Sequence, residues 1–340
     1  MTVPDAIRCT VAGRSLSEQQ AAGVAEAIMD GQATPAQIAA VLVALRMKGE
    51  TLEEILGFAW SMRRRATPVP LAPCDELLDT CGTGGDAAGT FNISTVAAFV
   101  AAGAGCKVAK HGNRSNSSRC GSSDVLEALG VNTQMSPEQT ARCIERIGVG
   151  FLFAPQYHPG ARHAAGPRAE IGVRTIFNAI GPLVHPAGAR RQLVGIYDAK
   201  LTEPIAEVLG RLGALHGLVV HGEDGLDEIT ITGATCVSEL RDGNVKNYTL
   251  RPEDFGVPRG RPEDLRGGEP QDNARIAREV LSGRPGPPRE VVLLNAGAAI
   301  FVGGKAASIA EGVARAREAI DSGRAMAKLE ALLAASREQT

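Results

Sequence analysis

Four segments of this chain collect residue types that a folding core does not need. The first, Asp79-Thr80-Cys81-Gly82-Thr83-Gly84-Gly85-Asp86, follows a short apolar run and precedes a helical pattern. Glycines there let the backbone approach a ligand and aim several N–H groups at it, which suits phosphate; a plain tight turn is the alternative. No Gly-Lys-Ser/Thr follows and no G-x-G-x-x-G is present, so neither a P-loop nor a dinucleotide fingerprint is implied. The second, Thr90-Phe91-Asn92-Ile93-Ser94-Thr95, sets three hydroxyls and an amide at a helix start, where capping needs only one. The surplus suits phosphate oxygens or a hydrated divalent ion.

The third runs Lys110-His111-Gly112-Asn113-Arg114-Ser115-Asn116-Ser117-Ser118-Arg119-Cys120-Gly121-Ser122-Ser123-Asp124. A phosphate-rich ligand explains so many cations, amides and hydroxyls together. A solvated loop, with Asp124 capping the next helix, remains open for Arg119 and Ser123. The fourth is the doublet Asp227-Glu228. Adjacent carboxylates repel unless a cation or water separates them, so a divalent metal and an exposed acidic turn are the two readings.

These segments need strands and helices to hold them. Residues 76–80 read as a strand, 95–103 as a helix and 106–109 as the next strand, a βαβ unit whose crossover is parallel and right-handed. Loops at the C-terminal ends of parallel strands share one sheet edge, which brings the first and third segments together. Further strands are expected at 149–153, 193–197, 217–221 and 291–294. Helices are expected at 136–147, 203–212, 273–281 and 309–335, and antiparallel hairpins near 229–250 turning at Asp242-Gly243-Asn244. The first seventy residues carry three helix starts: Ser17, Thr34 before Pro35, and the capping box Thr51-Leu52-Glu53-Glu54. Arg63, Arg64 and Arg65 read as a solvated helix end.

Composition narrows the class. A chain of 340 residues, 44% hydrophobic and 22% charged, supports a sizeable core in more than one domain. A net charge of −2 gives no general attraction to nucleic acid or anionic membrane. The uncharged run 87–106 is too polar for a bilayer, and Asp5 and Arg8 interrupt any signal sequence. Seven scattered cysteines without C-x-x-C spacing argue against disulfides and structural zinc, hence a cytoplasmic protein with reduced thiols. Cys81, inside the glycine segment, reads as a small apolar residue rather than a nucleophile.

The motifs GTGGD, NIST, KHGNR, GSSDVLEALG, GVRTIFNAIGPL and HGEDGLDEIT, in this order, resemble the anthranilate phosphoribosyltransferase family over nearly the whole chain. The resemblance implies an α/β protein with a small all-helical domain, residues 1–70 with 165–182, and a larger α/β domain, residues 71–164 with 183–340. The larger domain would have a central, mostly parallel sheet flanked by helices. It implies anthranilate and 5-phosphoribosyl-1-pyrophosphate as substrates, with Mg2+. Gly82, Gly85, Asp86, Thr90, Asn92, Ile93, Ser94, Thr95, Lys110, Ser118 and Ser122 would hold the phosphoribosyl donor. Gly112, Arg114, Ser115, Asn116 and Ser117 would line the same site. Ser94, Asp227 and Glu228 would serve the metal. Arg168, Asn113 and His111 would take anthranilate, with Lys110, Asn113 and Arg168 in catalytic roles; without the resemblance, Arg168 reads as an ordinary helix-surface arginine. Cys120 stands where the family commonly has Ser, and Gly160 and Ala161 shrink side chains expected near the aromatic acid. Ala39, Ala40, Leu42, Val43 and Leu45 offer more apolar face than three helices bury, which the resemblance makes a homodimer contact. A pyrimidine-nucleoside phosphorylase competes but lacks a use for KHGNR beside paired carboxylates, and a nucleic-acid-binding relative would need a basic surface.

Overall fold

A computed structural model describes residues 1–72, 74–115 and 119–338. The chain begins with helices α1 (Val3–Val11), α2 (Glu18–Met29), α3 (Pro35–Lys48) and α4 (Leu52–Arg65). Next come β1 (Leu77–Asp79), α5 (Ile93–Gly103), β2 (Lys107–Gly112), α6 (Ser122–Leu129), α7 (Pro137–Ile147) and β3 (Val149–Phe153). Helices α8 (Ala154–Tyr157), α9 (Arg162–Ile171) and α10 (Ile176–Ala179) lead to β4 (Arg191–Gly195), α11 (Thr202–Arg211) and β5 (His216–Gly222). The hairpin β6 (Thr235–Arg241) and β7 (Asn244–Leu250) is followed by α12 (Pro270–Leu281), α13 (Pro287–Val302), α14 (Ile309–Asp321) and α15 (Arg324–Ala335). Two compact units result, one of Met1–Pro68 with Ala154–Pro186 and one of Val69–Phe153 with Ala187–Thr340. The segment returning to the helical unit thus starts at Ala154, ahead of the 165–182 span.

In the helical unit each of the four leading helices begins at a capping box: Thr2 with Asp5, Ser17 with Gln20, Thr34 with Gln37 and Thr51 with Glu54. Helix α1 was not among the sequence expectations, although Thr2-Val3-Pro4-Asp5 carries the same signal. Of the arginine triplet, Arg64 is exposed as a solvated helix end would be, whereas Arg63 is not. Arg63 Nε donates to the Leu183 carbonyl at 2.6 Å, and burial pushes its pKa down to about 10. Arg64 and Arg65 pair with Glu26 at 2.8 and 3.2 Å, and Arg65 also with Asp30 at 2.8 Å, tying α4 to α2. Leu42 and Leu45 are buried inside the unit, so of the apolar face expected to be spare only Ala40 is exposed, with Met47 beyond it.

The second unit is built on a seven-stranded sheet of order β3-β2-β1-β4-β5-β6-β7. β3 through β5 are parallel, and β5-β6-β7 are antiparallel. The hairpin turns tightly at Asp242 (φ 51°) and Gly243 (φ 76°), the left-handed pair that a two-residue turn requires. Because the chain moves outward from β1 to β2 and β3, then returns to the other side of β1 as β4, the strand order reverses between β1 and β4. Crevices form there beyond the strands' C-terminal ends.

Two expected elements are corrected. Residues 291–294 form no strand but lie in α13, whose N-terminus is set by Pro287 and Pro288. That helix is buried all round, and an apolar run buried on every side has no period to separate helix from strand. The expected helix over 309–335 is two, because Gly323 takes φ 77° after Ser322 and breaks it. Among the described residues no helix is long and apolar enough to cross a membrane, and none of the cysteines is in a disulfide.

One titratable group of the helical unit has a consequence for its stability. Burial, reinforced by His185, lowers the pKa of His158 to about 4, and the Val184 backbone offsets only part of this. The fold holds the neutral imidazole, so its contribution is complete above the ordinary pKa of about 6.5 and is lost as pH falls toward 4, amounting to at most about 3 kcal/mol. Urea midpoints measured between pH 7 and pH 4 should fall, and His158→Gln should flatten that dependence; an equal slope in the variant would assign the loss elsewhere.

Candidate active site

The glycine segment leaves β1 at the β1/β4 reversal and is fastened on both sides. Thr83 N–H donates to the Gly195 carbonyl at 2.9 Å, Tyr197 N–H donates to Thr83 Oγ1 at 3.2 Å, and Gly84 N–H donates to Asp227 Oδ2 at 2.7 Å. Gly84 and Gly85 sit at φ 65° and 78°, which a side chain would oppose. A Cβ on Gly195 would lie 1.5 Å from the Asp227 carbonyl oxygen, so the last residue of β4 must be bare for the acidic doublet to settle against it.

The start of α5 joins from the other side. Ser94 N–H donates to Glu228 Oε1 at 3.1 Å. Lys110, inside β2 and only 4% exposed, donates from Nζ to the Thr80 carbonyl at 3.1 Å and lies 3.4 Å from Ser94 Oγ. Thr95 Oγ1 is buried with no hydrogen-bond partner among the described residues, an unmet polar atom at a helix N-terminus. Asn92 does not cap its helix; its Nδ2 donates to the Cys120 carbonyl at 3.1 Å while Oδ1 accepts from Asn273 at 2.9 Å. Glycine segment, lysine and acidic doublet therefore meet around one point.

Charge at that point is crowded. Asp227 and Glu228 are each half-buried residues. Desolvation, then Asp86 and Glu228, holds the Asp227 carboxyl well above the usual range. Glu228 is pushed up to about 7, again chiefly by desolvation, with Lys110 and Ser94 opposing. Beneath them Asp79 is fully buried, accepts the His111 N–H at 3.1 Å, and is raised to about 7 by burial that Lys110 only partly offsets. Ser94, Asp227 and Glu228 supply hard oxygen donors, a set that suits a small divalent cation retaining other oxygen ligands. Among the described residues no three His, Cys, Asp or Glu form a closed metal cage by themselves.

The third segment is more self-contained than expected. Arg114 pairs with Asp124 at 2.9 Å and Glu127 at 2.7 Å and lies 5.8 Å from the Phe153 ring. Ser122 Oγ accepts from Asn113 N–H at 3.1 Å and is 3.2 Å from its carbonyl. Ser115 N–H donates to Asp124 at 3.2 Å, and a Cβ on Gly112 would strike Ser122 Oγ. His111 is buried, Thr90 bridges Arg266, and Asp86 accepts from Ala88 N–H at 3.1 Å. Asn116, Ser117 and Ser118 lie outside the described residues. In the helical unit, Arg168 is half-buried over the Phe177 ring at 5.2 Å, and desolvation lowers its pKa, unlike an ordinary surface arginine. Gly160 has a packing reason, since a Cβ there would lie 2.7 Å from the Met29 carbonyl oxygen. Gly195, Asn273 and Asn295 were not among the sequence candidates, and Asp79 was named only as the start of the glycine segment, though a carboxylate ending an apolar strand and a lone amide in an apolar run are visible signals.

A glycine cradle at the reversal of a parallel sheet, with a buried lysine and paired carboxylates, fits a phosphate-handling transferase of the α/β class that carries a separate helical unit. The chain belongs to the glycosyl transferase family: the helical bundle domain matches residues 4–66 and the a/b domain residues 74–326. It is 57% identical over 324 residues to anthranilate phosphoribosyltransferase of Moorella thermoacetica, covering 95% of both chains. It is 55% identical to that of Rubrobacter xylanophilus, covering 98% of this chain and 97% of the relative. The crystal structure of anthranilate phosphoribosyltransferase from Thermus thermophilus superposes with a TM-score of 0.93 at 46% identity, over 98% of this chain and all of that one. The Saccharomyces cerevisiae enzyme in complex with PRPP and Mg gives 0.90 at 28% identity, over 98% and 97%.

Two substitutions probe this arrangement. Gly195→Ala should lower the unfolding free energy by about 3 kcal/mol or more, because backbone rather than a movable side chain blocks the methyl; a denaturant midpoint equal to the parent's would contradict the close approach. Cys120 Sγ lies 3.4 Å from Asn92 Oδ1, and burial raises the thiol's pKa to about 11. Cys120→Ser keeps a donor at that place and should leave thermal stability nearly unchanged, whereas a large fall would show a need for the thiol itself.

Proposed function

We propose that the chain transfers the 5-phosphoribosyl group from 5-phosphoribosyl-1-pyrophosphate to the amine of anthranilate, releasing pyrophosphate, as a step of tryptophan biosynthesis. The observation that carries it is the meeting of Gly84 with Asp227, and of Ser94 with Glu228 and Lys110, at the β1/β4 reversal. The identity of 57% to an anthranilate phosphoribosyltransferase over 95% of the chain supports the choice of substrates.

The aniline nitrogen of anthranilate is neutral at pH 7 and needs no base to act as a nucleophile. The residues therefore work by placement and charge. Backbone N–H groups around Gly82 and Gly85, with Thr90, Asn92, Ile93, Ser94 and Thr95, bind the donor's phosphates, and the Thr95 hydroxyl gains a partner it lacks among the described residues. Lys110 offsets negative charge as the bond from ribose C1 to pyrophosphate breaks. Ser94, Asp227 and Glu228 would hold Mg2+, which supplies neutralisation of the pyrophosphate oxygens when bound. Asp86 faces the same point. Arg168 takes the anthranilate carboxylate through its planar fork, and Asn113 and His111 are assigned to anthranilate binding. The protein acts in the cytoplasm as a homodimer through the exposed apolar residues of the first helices, among them Val11, Ala40 and Met47.

Anthranilate fluorescence tests the activity: it should decay only when protein, phosphoribosyl pyrophosphate and Mg2+ are all present, and a steady signal with all three would refute it. Asp227→Ala combined with Glu228→Ala should raise the Mg2+ concentration needed for half-maximal rate and lower kcat. Arg168→Ala should raise the KM for anthranilate about tenfold or more, the loss expected of a charged hydrogen-bonded pair; an unchanged KM would remove Arg168 from the site.

A further inference from the structure

Residues 291–302 of α13 are all buried, and Asn295 is the only one whose side chain carries hydrogen-bonding groups. An amide in such a place costs about 1–3 kcal/mol for each group left unmet. Here the amide oxygen and both Nδ2 donors are bonded, and two of the three bonds are aimed at one residue outside the helix. Asn295 Oδ1 accepts the Ile229 N–H at 3.0 Å, and Nδ2 donates to the Ile229 carbonyl at 2.8 Å and to the Val291 carbonyl at 2.9 Å. The Ile229 N–H can only donate and its carbonyl only accept, so this pattern fixes which end of the amide faces which.

Ile229 directly follows Glu228 and lies outside the strands, where no ladder holds it. Asn295 supplies what a neighbouring strand would, one acceptor and one donor to the same residue. The loop before and after is braced separately. Asp224 accepts Leu226 N–H at 3.3 Å and the Thr230 hydroxyl at 2.6 Å, and Thr230 N–H donates to Thr235 Oγ1 at 3.1 Å. Among the described residues it is Asn295 that clamps both backbone groups of the residue adjoining the doublet.

We propose that Asn295 is a positioning residue: by holding Ile229 it sets the direction in which Glu228, and with it Asp227, presents its carboxylate to a divalent cation. This role rests on the assignment of the doublet to a Mg2+-dependent phosphoribosyl pyrophosphate site. The chemistry predicts sensitivity to small changes. Asn295→Asp keeps the shape and the Oδ1 acceptor but sets an oxygen against the carbonyls of Ile229 and Val291, and Asn295→Ser leaves room for water in place of the amide.

Mn2+ used in place of Mg2+ allows binding to be read without turnover, from the electron paramagnetic resonance signal of the free ion in the presence of phosphoribosyl pyrophosphate. Both variants should bind Mn2+ about tenfold or more weakly, the usual effect of removing a group that orients a ligand, while the KM for anthranilate stays within about twofold. Folded variants with parental Mn2+ affinity would overturn the role, whatever their melting temperature. Should neither variant fold, native-state hydrogen exchange on the unaltered protein decides: Ile229 N–H must exchange only with global unfolding, and faster exchange would overturn the clamp. If the unaltered protein takes up no Mn2+ with the donor present, the assigned function fails and this role with it. Binding by the unaltered protein and equally by the variants defeats the role alone.

Discussion

Two adjacent carboxylates held partly away from water, with a third close by, set the terms for the rest of this site. Asp227 and Glu228 are each raised by desolvation, and Asp86 adds like charge to both. Left alone, such a pair would turn outward or take up protons. The fold prevents the first by geometry: the Asp227 carbonyl lies against a bare Gly195, its carboxylate accepts the Gly84 N–H, and Glu228 accepts the Ser94 N–H. The second is opposed at Glu228 by the buried cation Lys110. A site kept electron-rich in this way gains most from a divalent cation and the polyphosphate that cation brings.

Topology explains why these pieces can meet at all. β1 lies between β2 and β4, and the chain supplies the glycine segment after β1, Lys110 from the second half of β2 and the doublet after β5. Parallel strands put all three at one edge, and the reversal between β1 and β4 opens the space for a ligand. Glycines at 82, 84, 85 and 195 then serve two different purposes. Gly84 and Gly85 supply the left-handed backbone that the bend requires, whereas Gly82 and Gly195 leave room for Asp227, whose Oδ2 and carbonyl oxygen a Cβ would meet at 2.9 and 1.5 Å.

Much of this was legible before any coordinates. The helix starts at Ser17, Thr34 and Thr51 announce themselves through capping boxes, and the βαβ unit around 77–112 through its alternation of apolar runs and glycines. What escaped has a common physical cause. The strand expected at 291–294 is the start of a helix buried on all sides, where no polar face marks the period. Arg63 looked solvated because a cation at a helix end usually is, yet the Leu183 carbonyl, far along the chain, accepts its hydrogen bond. The bonds that Arg114 and Ser122, expected at the ligand, make within their own loop to Asp124, Glu127 and Asn113 were likewise not visible in their types. Asn295, Asn273 and Gly195 act through partners distant in sequence, which a one-dimensional pattern does not reveal.

Titration calorimetry with phosphoribosyl pyrophosphate bears most directly on whether the cradle, the lysine and the doublet form a single metal-dependent donor site. Saturable heat should appear with Mg2+ present and vanish in excess chelator. Silence in both conditions, or equal binding without the metal, would contradict it.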